Sequence, residues 1–160
     1  MKEYIIFILI FFCLSVNAQK TNHDYKIQNF DVKFIRTGID GTILFKVISI
    51  GRNTDQAVNN AKADAIKAVL FQGIPNSDLV KPIILDQEIF EKKSIFFESF
   101  FKNEKYLDFL TIANDGGIAG EDRIKFNGKY KIGVIVSVNK KLLREYLEHN
   151  NIINKLSEGF

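Results

Sequence analysis

The residues that could do chemistry are few and lie far apart in the chain. Its two histidines are His23, in a polar stretch near the N-terminus, and His149, at the end of a helical pattern. Neither has a neighbour at the spacing a zinc site needs, so both read as surface residues, and His149 suits a helix C-terminus by charge. Ser49 precedes Gly51 by two residues, but a nucleophile elbow needs glycine on both sides of its serine. Ser49-Ile-Gly-Arg-Asn53 also lacks the P-loop lysine and the dinucleotide glycine triplet. The amides there, with Arg52, offer at most weak anion binding. Asp115, Glu121 and Asp122 sit in a glycine-rich loop that suggests calcium, but it lacks the alternating acids and closing glutamate of an EF-hand. It reads as a surface turn. A hydrolase would have to gather distant acids such as Asp86, Asp108 or Glu121. The expectation is a chain that is not an enzyme, with no catalytic residue, no cofactor and no metal ligand.

What remains is apolar chemistry. Asp86 to Lys102 reads as one helix, with Ile89, Phe96 and Phe100 on one line and Phe90, Phe97 and Phe101 on the next. Large apolar side chains usually face a core, which is the plain reading. The sharper reading makes Phe90, Phe97 and Phe101 an apolar surface for a partner or ligand.

The elements that must hold these residues are organised around Gly41 to Gly73. Thr42 to Ile50 alternates as a strand, with Ile43, Phe45 and Val47 on one face and Leu44, Lys46, Ile48 and Ile50 on the other. Only Lys46 interrupts the second face, as expected of an interior strand. Gly51 marks a turn where positive φ is cheap, and Asn53 or Thr54 can cap the next helix. That helix runs from Thr54 to Gln72, with Ala57, Ala61, Ala65 and Ala68 as a stripe of small residues for close packing. Gly73 fits a left-handed stop, and Pro75 follows it.

Before this unit, Phe30, Val32 and Phe34 alternate as a strand, and Gly38 to Gly41 turns it into a hairpin. After it, Tyr106 to Ile112 is a strand candidate. Arg123 to Phe126, Asn127-Gly128 and Lys129 to Val138 form the clearest hairpin, with a type I′ turn. Asn139 caps a helix from Lys140 to about Asn150, and Ile152, Ile153 and Leu156 pack as a tail. The expected fold is α+β: a mostly antiparallel sheet of roughly four to five strands with about three helices on one face.

The chain has 160 residues, enough for one domain and its core. Residues 1–18 read as a signal peptide, 19–29 as a loose leader and 30–160 as a single domain. Tyr4 to Leu14 is an apolar run of eleven residues, short of the roughly 20 a spanning helix needs. Val16-Asn17-Ala18 offers a cleavage site that leaves Gln19 first. Cys13, the one cysteine, follows Phe12, where a lipoprotein signal wants a small residue. Cleavage would leave no thiol and no disulfide. Net charge is +3, and basic residues interleave with acidic ones, which argues against nucleic acid.

Two runs carry a resemblance. One is Gly41-Thr-Ile-Leu-Phe-Lys-Val47, Gly51 and the Ala57-Ala61-Ala65-Ala68 helix ending at Phe71 and Gly73. The other is Tyr130-Lys-Ile-Gly-Val-Ile-Val-Ser-Val-Asn139 followed by Leu143 to Glu148 and Asn151 to Ile153. Both resemble a group of uncharacterised secreted proteins of Gram-negative envelopes. More distantly they resemble small envelope lipoprotein domains related to the N-terminal domain of flagellar assembly protein T. The resemblance covers about half of the chain after Ala18, and the chain departs from it in lacking a lipid-attachment signal. It implies an envelope accessory or assembly module and carries over no catalytic residue. With the signal segment, the α+β pattern and the lack of catalytic motifs, the expectation is a non-catalytic module, periplasmic or associated with the outer membrane, that binds another envelope component. The alternative is an apolar small-molecule or lipid-binding protein that uses the Phe90–Phe101 helix.

Overall fold

A computed structural model describes residues 29–113 and 117–155. The signal segment, nearly all of the leader, Cys13, His23, Asp115 and Leu156 lie outside the described residues. The strands are β1 (Asp31–Thr37), β2 (Thr42–Gly51), β3 (Leu110–Ile112), β4 (Arg123–Phe126) and β5 (Lys129–Asn139). The α-helices are α1 (Thr54–Lys67), α2 (Gln87–Lys92), α3 (Ser94–Lys102) and α4 (Lys140–His149). Every strand pairing is antiparallel. The order is β1-β2-β5-β3, and β4 shares the β5 edge with β3. The expected α+β architecture, with β2 as an interior strand, is what the chain adopts.

The two faces of β2 have different fates. Ile43, Phe45 and Val47 are fully buried beside Ile132, Val136 and Val138 of β5, to which β2 is paired in register. Burying each such side chain contributes about 1.5–3 kcal/mol. α1 lies across both strands with Ala57, Ala61 and Ala65 at zero exposure, and Ala68 just after it is equally buried, so the small-residue stripe does bring helix and sheet together. On the other face Leu44, Lys46 and Ile48 are half-buried and Ile50 is exposed. Lys46 Nζ lies 2.7 and 2.6 Å from the two carboxylate oxygens of Asp122. Asp122 fits there because residue 133 is glycine: a Cβ on Gly133 would stand 2.8 Å from its Oδ1.

The caps follow their sequence logic. Asn53 accepts from the Gln56 amide, Asp86 from Glu88 and Asn139 from Leu142. Asn127 and Gly128 have φ of 48° and 71°, as a type I′ turn requires.

Other expectations need correction. Gly51 does not have positive φ. Its role is space, since a Cβ there would stand 2.3 Å from the Ala57 nitrogen. α1 does not run as regular α-helix to Gln72, because Ala68–Gln72 winds as a π-helical turn. Gly73 ends that turn with φ 82° and ψ 168°, positive in φ but extended rather than left-handed helical. The aromatic segment is two helices that meet at Lys93, where φ −111° and ψ 25° leave the helical region. Lys105–Phe109 is a 3₁₀ turn, so only Leu110–Ile112 of the Tyr106 candidate is strand.

Candidate functional site

Phe90, Phe97 and Phe101 do not form one exposed face. Phe97 is fully buried, and Phe90 and Phe101 are half-buried against the same core. Phe90 stacks on Phe97 with centroids 5.1 Å apart, and Phe71 meets both rings edge-on at 5.1 and 5.5 Å. Aromatic contacts of this kind add to plain burial, so this row holds the helix layer to the π-helical turn that follows α1. The residue that points outward from α3 is Ile95, at 84% exposure.

A groove opens beside this cluster. It has a volume of about 390 Å³ and a floor of Phe96, Phe100 and Tyr146, rimmed by Ser99, Asn103, Lys105 and Asn150. Phe100 stacks on Phe96 at 5.8 Å and on Tyr146 at 5.9 Å. Its polar rim is partly occupied within the chain. Asn103 Nδ2 donates to Ser99 Oγ, Asn150 Nδ2 to the Tyr146 carbonyl, and Lys105 pairs with Asp108. That hydrogen bond, with the Asp108 charge, raises the pKa of the Lys105 ammonium, so it stays protonated and is no base. Burial pushes the Tyr106 phenol up, helped by the charges of Glu104 and Asp64, which keeps it neutral. The groove offers flat apolar contact and one cation.

The other singled-out polar residues do not come together in one cluster. Ser49 is 4% exposed and donates its hydroxyl to Asp64 Oδ2 at 2.6 Å, a closed structural bond. Asp86 caps α2, Asp108 holds Lys105, Asp122 holds Lys46, and Glu121 is exposed. His149 is exposed at the end of α4. At the start of α1, Gln56 accepts from the Arg52 amide and Asn53 accepts from the Gln56 amide, so two of the amides there already have side-chain partners. Among the described residues, no group of three or more His, Cys, Asp or Glu could hold a metal ion.

A surface that the sequence reading passed over lies on the uncovered sheet face. In the register, Ile50 pairs with Lys131, and Lys131 pairs with Ile124, so the three share one row. Phe126, paired with Lys129, continues that face to the hairpin tip. Ile50, Ile124 and Phe126 are 52%, 53% and 66% exposed. Around them stand Arg123, Lys125, Lys129 and Lys131, with no acid between 123 and 131. Charges interleave along the chain as a whole but not here. This run was the available signal, and only the fold shows which face of it stays bare.

Among the described residues no helix is long and apolar enough to cross a membrane. Compared with known protein families, curated proteins and solved structures, the chain matches none.

Proposed function

We propose that this chain is a non-catalytic module of the bacterial envelope, exported across the inner membrane, that docks onto another envelope component through its uncovered sheet face. The observation that carries the reading is the row Ile50, Ile124 and Phe126, three large apolar side chains left in solvent together on one sheet face. The closed Ser49–Asp64 bond and the scattered acids support a binding role over a catalytic one. Export rests on the N-terminal apolar run and the two envelope-like sequence runs. A photo-crosslinking residue in place of Phe126, in cells exporting the chain, should capture an envelope component that the same residue at Ile95 does not. Equal capture at both positions, or none, would sink the proposal. Recovery of the protein from the cytoplasm with Met1 still attached would remove the export half of it.

A second reading is favoured by the groove over Phe96, Phe100 and Tyr146, whose volume suits a small flat apolar molecule. It keeps the apolar-ligand alternative in the aromatic segment but moves the contact from Phe90, Phe97 and Phe101 to the other ring line. Native mass spectrometry of gently extracted protein should then show a bound species that Phe96→Ala loses. A bare mass for the wild type ends this reading.

A further inference from the structure

The β4–β5 hairpin has a geometry that names its partner's chemistry. β2 pairs with β5 only as far as Tyr130, so the Phe126–Lys129 pair and the Asn127-Gly128 turn project past the body of the sheet. Phe126 stands next to the turn, and Ile124 lies two residues further back, about 7 Å along the strand. Both point to the uncovered face. The tip is therefore an apolar wedge, narrow and stiffened by a type I′ turn.

The cations surround the wedge on both faces of the ribbon. Lys129 and Lys131 share the face of Phe126 and Ile124, while Arg123 and Lys125 lie on the opposite one. Lys125 Nζ sits 5.8 Å from the Tyr130 ring centroid, and Lys131 is 3.7 Å from Asp31 with both side chains well exposed. Four positive side chains and no acid in nine residues outweigh the +3 of the whole chain.

We infer that this hairpin docks on an anionic lipid surface, with Phe126 and Ile124 entering the headgroup–acyl boundary and the four cations contacting lipid phosphates. The inference rests on the reading that the uncovered face is a docking face, and it identifies what is docked upon. Interfacial segments bury their apolar side by roughly 5–10 Å, which matches the Phe126-to-Ile124 span. Lysine and arginine stems lie along apolar surface while their charged ends stay in the polar layer, as this placement allows. Isoleucines offer a nucleobase no stacking face, so two of the three exposed apolar side chains would gain nothing from nucleic acid.

The chain contains no tryptophan, so Phe126→Trp places a single indole at the tip. The full chain carries the apolar run Tyr4 to Leu14, which can enter vesicles by itself, so the readout is emission at position 126 rather than co-sedimentation. With vesicles of mixed phosphatidylethanolamine and phosphatidylglycerol, the emission should shift to shorter wavelength and be quenched by brominated acyl chains. Phosphatidylcholine vesicles should leave it unchanged, as should single-stranded oligonucleotide. Ile95→Trp, on the helix layer, should respond to none of these. Each of Lys125→Gln, Lys129→Gln and Lys131→Gln should weaken the anionic-vesicle response by roughly fivefold. An unshifted spectrum with anionic vesicles, an equal shift at Ile95→Trp or with phosphatidylcholine, or a shift with oligonucleotide each overturns the inference. If the indole meets no lipid while a crosslinker at position 126 still captures an envelope protein, the lipid assignment falls and the docking reading stands. If both are silent, both fall.

Discussion

Replacing Gly51 with alanine tests whether space or backbone freedom fixes the join between β2 and α1. Gly51 does not occupy the left-handed region, so alanine can adopt its backbone conformation without φ strain. By restricting the unfolded chain, such a change alone would stabilise the protein by about 0.4–1 kcal/mol. Against this, the new Cβ would stand 2.3 Å from the Ala57 nitrogen and 2.8 Å from both Ala57 Cα and the Gln56 carbonyl carbon. All three are backbone atoms, so no side chain can swing away. The first turn of α1 must retreat, and Asn60 Nδ2, which donates to the Ile50 carbonyl at 2.8 Å, and the Ala57–Ala61–Ala65 contact retreat with it. Forced overpacking costs about 1–3 kcal/mol and occasionally more. The expected net loss is about 1–2 kcal/mol, a drop of about 4–7 °C in Tm for a domain of this size. Urea unfolding followed by far-ultraviolet circular dichroism, checked for an unchanged m-value, measures it. Two controls sharpen the result. Gly120 has open space and no positive φ, so Gly120→Ala should be neutral or slightly stabilising. Gly128 has open space but φ of +71°, so Gly128→Ala should lose about 1–2 kcal/mol. If Gly51→Ala matches the wild type while Gly128→Ala falls, the steric account of the join is wrong.

Other perturbations separate core from surface and charge from packing. Phe97→Ala should cost about 3–5 kcal/mol, whereas Ile95→Ala should stay within about 0.5 kcal/mol, both read from denaturant midpoints. A similar small cost for the two would mean that the aromatic row is not core. A double-mutant cycle of Lys46→Met and Asp122→Asn should give a coupling of about 1–2 kcal/mol, because each half-buried charge satisfies the other; additive effects would deny the pair a role. Asp78 accepts from Lys140, and that hydrogen bond, with the same lysine's charge and the Thr37 hydroxyl, holds its carboxyl below the ordinary aspartate value despite some burial. A lowered folded-state pKa gives stability that is present above the unfolded pKa and lost as pH falls through the folded one. Asp78→Asn should therefore flatten the stability–pH curve below about pH 4 and leave its slope near neutrality unchanged. The carboxylate is nearly half exposed, so the effect should shrink in high salt.

Local signals in the sequence were reliable where a short range decides the outcome. Asn53 and Asn139 cap the helices they precede, and Asn127-Gly128 turns the hairpin, because each acts on backbone within three residues. The two faces of β2 were legible from alternation. The partner of Lys46 was not, because Asp122 lies 76 residues away and its approach depends on the glycine at 133. Gly51 stood out by identity, yet its reason is a helix backbone passing close to it. Tyr106 looked like a strand residue from its apolar neighbours, but it is held in a 3₁₀ turn at 6% exposure, with its ring beside Phe100 and Phe101. The aromatic row was visible as a pattern, but which of its rings faced inward depended on α1, α4 and the kink at Lys93. The bare hairpin face was hidden for a complementary reason. Alternation marks a strand without saying which side another layer will cover.

The π-helical turn at Ala68–Gln72 has a kinetic consequence. The amides of Ile83 and Ile84 donate to the carbonyls of Val69 and Leu70 at 3.1 and 2.9 Å, so a connecting segment hydrogen-bonds directly to the end of a helix. Both isoleucines are buried, although they follow Pro82 in a stretch with no regular structure. Opening those amides to deuterium requires the segment to lift from the helix end and its two buried isoleucines to leave the core. Ile83 and Ile84 should thus exchange more slowly than exposed loop amides, and a segment that looks like a tether opens only when it gives up the core it covers.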